Sequence, residues 1–319
     1  MLYGGAEFAG TVRSMIRNIR IAVLNVDIPA RSLYEARGLC SAHFRHVLQE
    51  AAAVLNENTG TSVNISITPY DVRGGHYPEF AKLRSKVEDD PCDNCTIDAI
   101  LITGGSPGVY EIDQSPWMQT LEKFLKTVFQ QYPLVRILGT CFGHQMIAHA
   151  LMRDTKDPER DVFVEKCPLG MEVGVHTVRL ESDFVRFFPL TLGNLPHNEL
   201  RIQMFHGDRV LAVPKERSSK LTDASMSLPA PWVNVGSTPA CPIQGLYYPQ
   251  RVLSVQGHYE LDAFGVRSMC LEFAPSMKWS DSKLAIFLEQ VGFDADAPPD
   301  NAKAFALTVV CFLAGLENL

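Results

Sequence analysis

Several features are scarce in this chain of 319 residues. No stretch approaches the ~20 consecutive apolar residues of a transmembrane helix. The longest such run, AFALTVVCFLAGL near the C-terminus, is too short and reads as a buried helix. Runs of Lys or Arg are missing too, and 29 basic against 36 acidic residues leave a net charge of −7. The chain therefore lacks the electrostatic footprint that phosphate-backbone binding needs, and neither nucleic acid nor membrane is an expected partner. The first residues, MLYGGAEFAGTVRSMIRN, carry no apolar block followed by a small-residue cleavage site, as a secretory signal would. Arg13, Arg17 and Arg20 fit a surface helix better than a transit peptide. Eight cysteines are too few for a disulfide scaffold in a chain of this length, so reduced thiols and a cytoplasmic protein are expected. Charge is modest at 20% against 46% apolar residues, which supports a large packed core rather than disorder.

What is present is an alternation of strand-like and helical segments. RIAVLNVDI (20–28) is a near-continuous apolar run, as in a parallel strand covered on both faces. Residues 36–56 follow with helical spacing. Strands are then expected at 62–72, 97–105 and 134–140, with a helix over 117–130. Strands alternating with helices predict a doubly wound, mostly parallel α/β sheet with helices on both faces. After residue 150 the segments MEVGVHTVRL, RIQMFHGDRVLAVP and RVLSVQGHYE read as strands without long helices between them, an antiparallel extension of that sheet. The charged stretch 153–168 and the Ser/Pro/Ala-rich stretch 214–242 read as surface insertions, and 1–18 as a lead. No repeat or interdomain linker is evident, so 1–319 is read as a single domain.

The segment ILGTCFGHQMIAHAL (137–151) is where chemistry is legible. An apolar strand runs into Gly139-Thr-Cys141-Phe-Gly143, after which helical spacing resumes. Glycines two residues to either side of the cysteine allow a sharp strand-to-helix turn that exposes the central side chain. The positive end of the following helix favours a thiolate there. The bland alternative is a small core cysteine after a strand, but the two glycines and the helix favour a nucleophile. Such a nucleophile needs a base and an acid that orients it. In VQGHYELD, His258 and Glu260 stand two apart, on one face of an extended segment. A tetrahedral intermediate also needs two backbone donors. Phe142, just after Cys141, offers one, and the Gly104–Gly105 turn of ILITGGSPGVYE offers the other.

GTCFGHQ, ITGGSPG, MFHGDRV and VQGHYE occur in the order in which they stand in class I glutamine amidotransferases, and the chain resembles the amidotransferase part of GMP synthetase and its stand-alone relatives over roughly 95–265. The resemblance implies a flavodoxin-like fold. It also implies a triad of Cys141, His258 and Glu260, oxyanion donors at Gly105 and Phe142, Gln145 as a contact to a γ-glutamyl substrate, and His206 at the pocket border. Three departures are visible. Tyr259 replaces a common proline, which is expected to alter the rim beside His258. MRDTKDPERDVFVEKC replaces a glycine pair after the elbow helix. No ATP-using synthetase module is recognisable.

The expected activity is therefore hydrolysis of a γ-glutamyl amide, in a γ-glutamyl peptide, a glutathione-type conjugate or glutamine, without a cofactor. The alternatives are a glutaminase subunit that delivers ammonia to a separate synthetase, a tailoring enzyme using the same thiol, and a non-catalytic binding protein. Cys92 and Cys95 form a lone C-x-x-C without the second pair that a zinc site wants. Asp27, at the end of the first strand, is read either as functional or as a turn-forming acid. His144 is read as near the pocket and His149 as packed. Trp232, Tyr247 and Tyr248 are read as ordinary packing or a groove lining.

Overall fold

A computed structural model describes residues 16–85, 96–153, 160–214, 228–292 and 300–318. The first part of the chain runs β1 (Ile16–Asn25), α1 (Arg31–Arg37), α2 (Cys40–Thr59), β2 (Ser62–Asp71), β3 (Ala99–Ile102), α3 (Pro116–Gln131), β4 (Arg136–Thr140) and α4 (Phe142–Met152). It continues with β5 (Arg160–Lys166), β6 (Glu172–Leu180), the one-turn helices α5 (Ser182–Val185) and α6 (Pro189–Leu192), β7 (Glu199–His206) and β8 (Asp208–Pro214). Last come β9 (Val233–Asn234), β10 (Gly236–Ser237), β11 (Gly245–Tyr248), β12 (Val252–Val255), α7 (Ala263–Phe273), α8 (Asp281–Gln290) and α9 (Ala302–Ala314).

The main sheet has the order β2-β1-β3-β4-β12-β11-β9. Its first five strands are mutually parallel, and β11 and β9 continue it antiparallel. The central strands of the parallel part are buried on both faces, so β1 from Ile21 to Leu24 and β3 throughout are apolar at successive positions, whereas β2 at the edge alternates. In β1, Ile19, Ile21 and Val23 point into one core while Ala22 and Leu24 point into the other. β3 divides its residues the same way, Ala99 and Leu101 against Ile100 and Ile102. The first core is closed by α2 and α9, with Phe44, Leu48, Phe305 and Phe312 wholly buried, and the second by α3 and α4. The apolar C-terminal run is thus a core helix, α9.

Several boundaries differ from the sequence reading. The helix expected over 36–56 is two helices, broken at Gly38, whose φ of 78° no helix accommodates. β1 begins at Ile16, inside the stretch read as a lead. The RVLSVQGHYE strand, β12, is parallel to β4, because the chain first lays down β9 and β11 farther out in the sheet and then turns back into the position beside β4. β6 and β7 pair in a separate three-stranded sheet with β10. RIQMFHGDRVLAVP is two strands parted at Gly207, and its second half, β8, pairs instead with β5. The insertion read over 153–168 therefore contains a strand: Val162 and Val164 turn inward, so the segment alternates despite its charges. The stretch 214–242 likewise includes β9 and β10. Cys92 and Cys95 lie outside the described residues, as does the middle of the charged insertion.

Candidate active site

Ligand sites in doubly wound sheets gather at the carboxyl ends of the parallel strands. Four adjacent strands deliver residues to that edge here: Asp27 follows β1, Gly104 and Gly105 follow β3, Cys141 follows β4, and His258 with Glu260 follows β12. The order of strands in space, not in sequence, is what brings residues 27, 104, 141 and 258 to one cavity.

Cys141 stands between β4 and α4 at φ 49°, ψ −110°, a backbone conformation that a non-glycine residue rarely adopts and that stores about 1–3 kcal/mol. The turn is possible because β4 and α4 touch backbone to backbone. A Cβ on Gly139 would lie 2.6 Å from the Gly143 carbonyl carbon, and one on Gly143 would collide with the Ile102 carbonyl oxygen at the end of β3, on which α4 also rests. The first N–H groups of α4 have no acceptor within the helix and point towards the turn. Cys141 is itself tied to the sheet by its N–H, which donates to the Val255 carbonyl at 3.0 Å.

His258 is buried beside it, and its own N–H donates to the Gln203 carbonyl on β7 at 2.8 Å. Its Nδ1 lies 2.6 Å from Glu260 Oε1, the contact expected of residues two apart in extended chain. Its Nε2 is buried and makes no hydrogen bond of ordinary geometry among the described residues. Burial by itself pulls this imidazole towards neutrality, but the Glu260 carboxylate and the neighbouring Cys141 sulfur override it and raise its pKa to about 10. Gly104 leaves room for this arrangement, since a Cβ there would lie 3.1 Å from His258 Cε1 and 3.5 Å from Cys141 Cβ.

The residues sequence reasoning placed around these three are mostly present. Gly105 lines the cavity and packs so closely on β1 that a Cβ would lie 2.5 Å from Val26 Cγ1. Gln145 reaches the cavity from the first turn of α4, with its amide donated to Gln256 at 3.0 Å. His206 also lines it, held by contacts at both ring nitrogens: Nδ1 is 2.9 Å from the Asp208 carbonyl and Nε2 is 3.1 Å from Glu172 Oε2. Burial alone would raise the Glu172 carboxyl, but its hydrogen bond to His206 holds it below the usual range. Asp27 is the residue sequence left undecided. Its Oδ2 accepts from the Ser106 hydroxyl at 2.5 Å and the Ser106 N–H at 3.2 Å, while Oδ1 accepts from Arg73 at 3.2 Å. It therefore clamps the glycine turn after β3 to the end of β1.

Two expectations, for Tyr259 and His144, are corrected, whereas His149 and the late aromatics pack as the sequence suggested. Tyr259 does not form the rim beside His258: the chain alternates here, so its ring turns into the core, 5.5 Å from Phe44 and 5.6 Å from Phe305. His144 faces away from the cavity, bonding Ser254 at 2.9 Å, and burial lowers its pKa to about 3. His149 is packed, 3.3 Å from Arg153. Trp232 and Tyr248 pack together with Phe129, and Tyr247 is a core residue. Sequence reasoning missed Asp208, His43 and the methionine-rich wall contributed by α7, all of which line the cavity. Asp208 had a signal, the HGD motif; the others had none.

Residues 57–263 match the family profile described as glutamine amidotransferase class-I. The chain belongs to that family. A Schizosaccharomyces pombe protein provisionally named glutamine amidotransferase-like protein C13C5.04 is 27% identical over 295 residues, 92% of this chain and 98% of the relative. A Saccharomyces cerevisiae protein provisionally named glutamine amidotransferase YLR126C is 30% identical over 167 residues, 51% of this chain and 53% of that one. The fold is similar to a glutamine amidotransferase of Thermotoga maritima, with a TM-score of 0.55 at 15% identity over 92% of this chain and 98% of that one. It is also similar to the glutamine amidotransferase of Methylobacillus flagellatus, with a TM-score of 0.54 at 15% identity over 94% and 95%. Among the described residues of this family member, no helix is long and apolar enough to cross a membrane. No group of three or more His, Cys, Asp or Glu residues among them is arranged to hold a metal ion.

Proposed function

We propose that the chain is a stand-alone Cys-His-Glu hydrolase of γ-glutamyl amides. The observation that carries this reading is one side of the imidazole bonded to Glu260 at 2.6 Å while its buried Nε2, with no hydrogen bond of ordinary geometry among the described residues, is left to a cysteine on a strained elbow. In this mechanism the Cys141 proton already rests on His258, whose imidazolium Glu260 stabilises, so the sulfur attacks the γ-carbonyl carbon as thiolate and the carbonyl oxygen becomes an oxyanion. The Gly105 and Phe142 N–H groups hold that oxyanion. Collapse breaks the C–N bond, and the proton on His258 passes to the departing amine. Water, deprotonated by His258, then attacks the γ-glutamyl thioester, releasing glutamate and restoring the thiol. Gln145 and the segment around His206 border the glutamyl group. A reducing compartment, the cytoplasm, suits a thiol nucleophile, and the other five described cysteines are free thiols as well.

The test is glutamate release by purified protein from glutamine and from γ-glutamyl peptides, with Cys141→Ala alongside. Activity is expected to fall at least about 10³-fold in that variant, while the unfolding midpoint shifts by no more than about 4 °C. Undiminished turnover by Cys141→Ala overturns the mechanism. Turnover of glutamine only when a synthetase is added assigns the protein instead as an ammonia-delivering subunit.

A further inference from the structure

The cavity in front of Cys141, about 160 Å³, has two chemically different ends. One is polar, formed by Gln145, Ser106, Gly207 and Asp208. The other opens between α1 and α7 and is lined by Leu33, Leu261, Met269, Phe273 and Met277. The two helices are latched at their edge, where the Arg37 guanidinium donates both of its terminal nitrogens to Asp262 at 2.9 and 2.8 Å. Behind Leu33 and Leu261 lies a separate small core that includes Val173, Val266, Phe287 and Val291, so the apolar lobe has a backing of its own. No Lys or Arg is among the described residues that line either end.

A γ-glutamyl group carries an ammonium and a carboxylate, and placing them against Met and Phe side chains would desolvate both without partners. The glutamyl group therefore belongs at the polar end, with its γ-carbonyl at Cys141. The other side of the scissile C–N bond is the side His258 protonates. There Phe205, whose carbonyl lies 3.8 Å from the Cys141 sulfur, and Leu261, next after Glu260, lead directly into the apolar lobe. Methionine and phenylalanine accept varied apolar shapes, and thioethers pack well on aromatic rings. With no Lys or Arg among the described lining residues, and with His258 committed to Glu260 and Cys141, a carboxylate on the amine portion finds no partner there. Resting on the γ-glutamyl hydrolase reading above, we infer that the substrate is the γ-glutamyl amide of an uncharged, apolar amine, aryl or alkyl, whose apolar group fills the α1–α7 lobe.

The experiment compares kcat/KM for γ-glutamyl benzylamide and γ-glutamyl butylamide with γ-Glu-Lys, γ-Glu-Glu and glutamine, in the wild type and in Met277→Glu. Met277 is chosen because it is 44% exposed at the mouth of the lobe, where a carboxylate is tolerated by the fold. The apolar amides are expected to lead γ-Glu-Lys and γ-Glu-Glu by about tenfold or more, the range that apolar pocket contacts supply. Met277→Glu should narrow or invert the ratio of benzylamide to γ-Glu-Lys, a ratio that a general loss of folding leaves unchanged. Equal or better turnover of γ-Glu-Lys, γ-Glu-Glu or glutamine overturns the inference and leaves the hydrolase standing. So does an unmoved ratio in Met277→Glu. Release of glutamate from none of the five overturns the hydrolase reading itself, and the lobe's assignment with it.

Discussion

One wall of the Cys141 cavity is backbone, and the opposite wall is side chain. The first is made from the ends of β1, β3, β4 and β12, where main-chain hydrogen bonds and contacts too close for a Cβ hold the elbow, the glycine turn and His258 in register. The second is made from α1, α7 and the turn after α7, where Leu33, Met269, Phe273 and Met277 meet the cavity through flexible bonds and the polar latch is solvent-exposed. The contrast separates tasks. On the proposed hydrolase reading, a thiol, an imidazole and two oxyanion donors must agree to within a fraction of an ångström, which an over-determined backbone supplies. Selection of an amine needs volume and polarity, which side chains supply and can exchange without disturbing the sheet.

Changes to the backbone-built wall should therefore act on kcat, and the largest effect is expected at Glu260. Glu260→Gln keeps the shape but offers the wrong partner to His258 Nδ1, and kcat should fall about 10³–10⁴-fold. The same change removes the carboxylate that holds the imidazole pKa up near 10, so the alkaline limb of the pH–rate profile should move to lower pH. The sign also applies to stability. A folded-state pKa above the unfolded value of 6.5 stabilises fully below 6.5, and this contribution fades as pH rises through about 10. The midpoint advantage of wild type over Glu260→Gln should shrink across that window; an advantage that grows with pH would contradict the pairing.

Asp27→Asn is the intermediate case. It keeps the clamp's geometry but exchanges one carboxylate oxygen for a donor, loosening the Ser106 contacts that hold the glycine turn. A roughly tenfold loss in kcat with KM little changed is expected, below the 10²–10³-fold loss of an oxyanion donor outright. A change confined to KM would move Asp27 from the first wall to the second. The smallest effect should be at the latch. Arg37 and Asp262 are 40% and 56% exposed, so Arg37→Ala should alter stability by only about 0–1 kcal/mol, read from denaturant midpoints. A larger loss would show that the α1–α7 wall is as tightly determined as the strand edge.

Legibility in the sequence divided along the same line. GTCFG announced the elbow because only glycine permits the approach seen between Gly139 and Gly143, and the H-x-E spacing announced its pair because extended chain returns residues 258 and 260 to one face. The doubly wound sheet was legible from near-continuous apolar runs such as residues 20–28 alternating with segments of helical spacing. The wall formed by α7 and the turn after it was not: Met269, Phe273 and Met277 recur every four residues, a spacing that an ordinary core-facing helix also shows. β5 was hidden by its charges, and the parallel placement of β12 depends on which strand it re-enters beside, a long-range choice with no local signature.

Sequence alone determined the chemical groups and the local turns that aim them, because those turns are set by residues within a few positions of one another. The tertiary structure decided that 27, 104, 141 and 258 share one edge, that Tyr259 belongs to the core and that Asp27 is a clamp. It also decided what faces the nucleophile across the cavity. Those outcomes depend on strand order and helix packing, which are settled by burying apolar faces from distant parts of the chain against one another.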